Sequence, residues 1–249
     1  MTAADKTFLE LCNDVKRECG IAGAAIAAVT GQAAGSEYER VVNWVPDADQ
    51  LIQELWEDWK FLHGLISITT TSGTRAYSLT TLDGVSDVAT ISTSLLKWDE
   101  ESFVYKPASD NAAPLVHLPY KEWRKSERLG ATASIPSDVP SKVTIKPNND
   151  LAFYPTPNDV GPITADYQKR AVRMTANGDT SVIPAPFRRI ITARAKMMYA
   201  EHENNPAIYN AAETEYGMYL GRLESNQLPD AHWKFTSQGA EADLEVVVE

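Results

Sequence analysis

The hydrophobic rhythm of this chain changes twice, and that change limits its fold more than any other feature. Apolar residues recur every three or four positions from Thr7 to about Phe61, and again from Pro184 to Leu228. Between Leu65 and Tyr167 they alternate. A period of about 3.6 residues buries one stripe of a helix, and a period of two buries one face of a strand. Runs of helix, then strand, then helix segregate the two kinds of element, which predicts an α+β fold. The expected architecture is a helical bundle made from both ends of the chain, an inserted antiparallel β domain and an extended C-terminal arm. The boundaries that follow are 1–64 and 183–229 for the halves of the helical part, 65–182 for the β domain and 230–249 for the arm. A length of 249 residues suffices for one large domain or two small ones.

Local signals place the elements. Thr7 and Glu10 form a T-x-x-E capping box, which satisfies two orphan N–H groups reciprocally. Phe8, Leu11, Val15 and Cys19 follow at helical spacing, and Gly20 is suited to the C-terminal cap. The Ala-rich stretch Ile21 to Val29 reads as a loop or a weak extra turn. Ser36 and Glu39 repeat the box ahead of Val41, Val45, Ala48, Ile52, Leu55 and Trp59, which predicts a long helix reaching about Phe61. Trp44, Leu51 and Trp56 widen its apolar face. Pro46 removes one N–H and is expected to kink or interrupt this helix near Asn43.

In the middle, Ile66, Ile68 and Thr70, a Ser72-Gly73 turn, then Tyr77 and Leu79 read as a hairpin. Val88, Thr90 and Ser92 continue in strand style. Lys142 to Lys146, a turn at Asn148-Asn149-Asp150, and Leu151 with Phe153 give another pair, and Ile163, Ala165 and Tyr167 a further strand. Short strands at this spacing predict a small antiparallel sheet or sandwich. The charged stretch Tyr120 to Leu129 reads as a helical turn between strands. Pro186 suits a helix start, Asn205-Pro206 restarts the helix, and Leu228-Pro229 stops it. The arm carries Trp233, Phe235 and Val246 to Val248 among acids and small residues, and is expected to become ordered on something else.

Chemistry is sparse. Asp and Glu total 34 against 23 Lys and Arg, a net charge of -11, which argues against gripping phosphate backbones. It does not exclude an acidic wall past which DNA slides. Cys12 and Cys19, seven apart on one helix, would lie ~10 Å apart along its axis, too far to bridge. They are expected to be free thiols made in a reducing compartment. No apolar run reaches a membrane span, and acids stand where a signal peptide needs a basic start.

No phosphate-binding, dinucleotide, metalloprotease, C-x-x-C or nucleophile-elbow motif occurs. His63, His117, His202 and His232 are scattered singly, and Glu201-His202-Glu203 cannot converge because consecutive helix positions face apart. Asp99-Glu100-Glu101 and the pair Asp47 and Asp49 read as solvated loops. The expectation is no catalytic residue, no metal, no cofactor and no enzyme. Lys121, Arg124, Lys125 and Arg128, mixed with Glu122 and Glu127, read as an exposed helix face. Trp44, Trp56 and Trp59 with Phe61 form an aromatic stripe that either packs in the core or faces a neighbouring subunit.

The order of several segments carries a resemblance. These are TFLELCNDVKRECGI (Thr7 to Ile21), RVVNWVPDADQLIQELWEDWKFL (Arg40 to Leu62), LAFYPTP (Leu151 to Pro157), ADYQKRAVRM (Ala165 to Met174), IPAPFRRIITARA (Ile183 to Ala195) and YAEHENNPAIYNAAETEYGMYLGRLESNQLP (Tyr199 to Pro229). Together they resemble the head-to-tail adaptor, or neck and connector, proteins of tailed bacteriophages of the podophage type. Pro46 departs from the uninterrupted second helix expected of them.

The resemblance implies a structural virion protein, made in the host cytoplasm and located in the neck between capsid portal and tail. Copies would form a homo-oligomeric ring, usually dodecameric, below the portal. The ring would extend the channel through which double-stranded DNA passes without sequence-specific binding, and would offer a platform to tail (nozzle or tube) or fibre proteins. By the same likeness Leu228, Trp233, Phe235, Val246, Val247 and Val248 belong to a portal-docking arm, while the aromatic stripe itself offers Trp44, Trp56 and Trp59 as an inter-subunit helix face. No membrane and no cofactor are implied. The alternative is another neck or tail component, such as a tail terminator or nozzle subunit. An enzyme built on the β domain would need convergent carboxylates or a metal, a set the sequence lacks.

Overall fold

The computed structural model describes residues 6–82, 91–107, 112–129 and 137–228. Among these, the helices are α1 (Phe8–Glu18), α2 (Glu37–Gln53), α3 (Ile91–Ser94), α4 (Tyr120–Leu129), α5 (Arg189–His202) and α6 (Pro206–Gln227). The strands are β1 (His63–Thr69), β2 (Ala76–Tyr77), β3 (Leu95–Trp98), β4 (Val104–Tyr105), β5 (Ala113–Pro114), β6 (Val116–His117), β7 (Ser137–Asp138), β8 (Lys142–Ile145), β9 (Leu151–Tyr154), β10 (Thr156–Pro157) and β11 (Pro162–Lys169). The fold is α+β. It divides into two compact units, one of residues up to Leu62 and from Ala171 onward, the other of His63–Arg170.

In the helical unit, α1 starts where the sequence predicts. Glu10 N–H donates to Thr7 Oγ1 at 3.4 Å, and Thr7 N–H donates to Glu10 Oε2 at 2.7 Å. Its end is a Schellman motif: Gly20 takes φ 70°, its N–H donates to Arg17 O, and Ile21 N–H donates to Lys16 O. The following loop is held by side chains in place of a ladder. Asn13 bonds Ile26 at both N–H and C=O (2.8 and 3.0 Å), Lys16 Nζ reaches the carbonyls of Ile21 and Gly23, and the Tyr38 hydroxyl donates to Ala24 O at 2.8 Å. Ile21, Ile26 and Val29 are thereby buried.

Helix α2 differs from expectation in three respects. Ser36 Oγ accepts from Glu39 N–H, but the Glu39 carboxylate turns to Gly35 N–H, so the return bond sits one residue upstream. Pro46 lies inside the helix without interrupting it. Its ring is buried, and packing of α2 against α1 and α5 outweighs the missing N–H. Finally, the helix stops at Gln53, well short of Phe61. The Trp59 indole donates to Ile52 O at 3.2 Å, beside the bond from Leu55 N–H at 3.3 Å, and ties the next segment to the helix end.

Val41, Val45, Ala48 and Ile52 of α2 meet Leu11 and Val15 of α1 and Ile190, Ile191 and Ala195 of α5 in one core. Pro186 is the second residue of a short 3₁₀ turn, Ala185–Phe187, ahead of α5. Asn205 caps α6, accepting from Ile208 N–H, with Pro206 at the first helical position.

In the second unit, β1 pairs antiparallel with β11 over seven registered pairs, from His63↔Gln168 to Thr69↔Pro162, and its residues alternate exposed and buried. The larger sheet runs β1-β11-β4-β5 with β3 also on β11; a second runs β2-β9-β8-β6, and β7 pairs with β10. The expected hairpin does not form. The turn near Ser72-Gly73 exists, with Thr74 N–H donating to Thr71 O, but it carries the chain from one sheet to the other. Pairings are antiparallel except the short β6–β8 and β7–β10 pairs. The β8–β9 hairpin forms as read, with Asn149 at φ 64° in its turn.

Ser92 belongs to the helical turn α3, while Val88 and Thr90 lie outside the described residues. Tyr120–Leu129 forms ten residues of true α-helix. Side chains of both larger sheets share one aromatic core, in which Trp98 lies edge-on to Tyr167 (5.9 Å between centroids) beside Phe103.

Candidate functional site

Among the described residues no group of three or more His, Cys, Asp or Glu could hold a metal ion. Each described histidine meets a single carboxylate: His63 with Asp166 at 3.6 Å, His117 with Glu100 at 3.0 Å and His202 with Glu203 at 2.9 Å. His232 lies outside the described residues. Cys12 and Cys19 are buried free thiols, and burial pushes both up to about 12, so neither is a nucleophile at neutral pH. No described helix is long and apolar enough to cross a membrane.

The pair Asp47 and Asp49 lies in α2, not in a solvated loop. Asp47 is surface-exposed and pairs with Arg173, but Asp49 sits inside α2 with no exposed area. Ser181 Oγ donates to Asp49 Oδ1 at 2.5 Å, and Gln53 Nε2 donates to Oδ2 at 2.9 Å. Gln53 also grips the returning chain, accepting from Val172 N–H at 2.8 Å and donating to Val172 O at 3.1 Å. Burial pushes the Asp49 carboxyl up to about 6, against the opposing pull of the Ser181 and Gln53 bonds and the Arg188 charge.

A second polar cluster joins three helices. Arg189 and Lys196, seven apart on one face of α5, both reach Glu18 of α1 and Glu215 of α6. Arg189 holds Glu18 through two nitrogens and Glu215 Oε1 at 2.6 Å; Lys196 Nζ lies 3.0 Å from Glu18 and 2.8 Å from Glu215. Partial burial alone would lower the Arg189 and Lys196 values, but the two carboxylates outweigh it and raise both. Burial would raise Glu215, and the same cations instead hold it below its ordinary value. Both clusters are structural, and both escape sequence reading because their partners lie far apart in the chain.

The sequence-predicted assembly residues occupy three different settings. Trp44 is half-buried, edge-on to Tyr199 at 6.2 Å and tilted against His202 at 5.6 Å. Trp59 has no exposed surface and stacks on Phe61 within the helical core. Trp56 is 40% exposed, its indole donating to Glu224 Oε1 of α6 at 3.0 Å. Leu51 and Leu55, 44% and 45% exposed, extend the apolar surface beside it.

Along the 22 residues of α6 only Ala212 and Leu223 are buried, which leaves most of its outer side uncovered. Leu228, the last described residue, is extended after α6 and half-buried against the helical core. Trp233, Phe235, Val246, Val247 and Val248 lie outside the described residues.

On α4 the side chains of Lys121, Glu122, Arg124 and Lys125 face solvent while Trp123 turns inward, edge-on to Tyr154 at 6.3 Å. The side chains of Glu127 and Arg128 lie outside the described residues.

The geometry is that of a scaffold with exposed apolar surface. A scan against models of protein families matches residues 6–239 to the SU10 adaptor protein. A search of curated proteins finds no match.

Proposed function

The chain belongs to the SU10 adaptor protein family, a family of phage head-to-tail adaptors, and from that premise we propose a specific architectural role for it. It is a structural virion protein at the head–tail junction. Its copies associate into a ring, dodecameric by family resemblance, below the portal. The ring extends the DNA channel and presents the β unit to nozzle, tube or fibre proteins. The arm, with Leu228, Trp233, Phe235 and Val246 to Val248, docks on the portal.

The observation that carries this reading is the extent of the match, residues 6–239, which spans both units and enters the arm. Three further features support it. Leu51 of α2 and Leu55 and Trp56 just beyond it expose apolar surface, with Trp44 of α2 partly uncovered, as a subunit interface requires. Helix α6 leaves most of its outer side uncovered for a neighbour. A net charge of -11 lets DNA pass, because like charge weakens contact.

Deleting residues 230–249 tests the docking role. The truncated protein should melt like the full chain and fail to stay on purified portal. A truncated protein that joined portal normally would refute arm docking. Electron microscopy of particles tests the location: the protein must be found in the neck. Crosslinks from Trp233 to portal fit an adaptor, and crosslinks to tube protein instead would indicate a terminator.

A further inference from the structure

We propose that in the free protomer the proximal arm, residues 230–235, folds back onto the Leu51–Leu55–Trp56 patch of its own chain. The contact keeps the arm from its partner until that partner displaces it; this consequence, though not the contact, rests on the portal-docking reading.

Position is the first argument. The Trp56 indole bonds Glu224 at 3.0 Å, and Glu224 is one helical turn before Leu228, where the described chain leaves α6. Four helical residues advance ~6 Å. Five extended residues, Leu228 to Trp233, reach up to ~17 Å. The arm therefore starts beside the patch and has length to spare. So short a tether gives a high effective concentration, on the millimolar scale, and lets a modest contact be well populated.

Chemistry is the second. Trp233 and Phe235 alternate, so an extended segment points both to one side, matching an apolar surface of two leucines and a tryptophan. Charge selects which part of the arm fits. The patch is surrounded in sequence by Glu54, Glu57 and Asp58, with Glu224 beside it in space. The proximal arm carries Lys234 and His232 against one acid, Asp230, so it is not repelled as a whole. The distal arm carries Glu241, Asp243, Glu245 and Glu249, which the same carboxylates repel.

Trypsin tests the contact, because Lys234 is the sole cleavage site in the arm. The full-length protein without portal is compared with a synthetic peptide spanning residues 228–240. Cleavage after Lys234 should be at least tenfold slower in the protein, independent of protein concentration. Trp56→Ala and Leu55→Ser should bring the rate toward that of the peptide. Trp233→Ser, compared with its own peptide, should do the same without touching the folded body. Three results overturn the proposal. One is a wild-type rate equal to that of the peptide. A second is protection that grows with concentration, which would place the arm on a second copy. The third is protection removed by Trp233→Ser but untouched by both patch variants. Because no portal is present, this assay and the portal-attachment assay can fail separately.

Discussion

Asp49 is the residue whose setting departs furthest from its chemistry. A carboxylate with no exposed surface is held at about 6, against an ordinary value of 3.8. A raised folded-state value means that the native state holds a proton the unfolded chain has released. The contribution to stability is fully present below the unfolded value and is lost as pH rises through about 6. Asp49→Asn supplies a non-titrating reference: its carbonyl can accept from Gln53 while its amide donates to Ser181 Oγ. Urea unfolding from pH 4 to 7 should show the wild type losing roughly 2–3 kcal/mol relative to Asp49→Asn. A constant difference would contradict the assignment.

Gly161 offers a second test at this scale. A Cβ there would stand 2.5 Å from the backbone oxygen of Lys106, while Thr70 bonds both its N–H and its C=O. Gly161→Ala should lower the stability of the second unit by ~1–3 kcal/mol, measured by its denaturation midpoint.

Elements show which signals a sequence can and cannot carry. Helix starts at Thr7 and Asn205 are legible because a cap is a bargain among neighbours three residues apart. The end of α2 is not: no glycine or proline directly follows Gln53, and the apolar spacing runs on to Trp59 although the helix has stopped. The expected β1–β2 hairpin is absent for a related reason. Alternation marks β1 as a strand but names no partner, and its partner β11 lies nearly a hundred residues away.

The same blindness applies to the candidate site. Periodicity places Trp44, Trp56 and Trp59 on one face only if the helix continues to Phe61; because it ends at Gln53, the three separate. The ion-pair cluster of α1, α5 and α6 was invisible because Glu18 and Arg189 are 171 positions apart. Arg189→Met should cost about 1–3 kcal/mol, less than a fully buried pair because these groups are partly exposed. The loss should shrink in 1 M salt, as urea midpoints at two ionic strengths will show. On α6, Gly217 has open space where a Cβ would lie, so Gly217→Ala should stabilise the protomer by ~1 kcal/mol in thermal melts.

For the whole molecule, the helical unit is built from segments that precede and follow the second unit in sequence, and both crossings are fastened inside it. Trp59 and Leu62 are buried on the outgoing side, while Gln53 clamps Val172 and Met174 is buried on the return. Replacing residues 63–170 with a flexible linker of about eight residues should leave a helical protein that melts cooperatively. A product without cooperative melting would show that the helical unit depends on its insertion.

Anchored at both crossings, the middle of the chain is free to diverge as a cassette. An insertion fastened in this way can change its own surface without disturbing the helical core that holds its two ends.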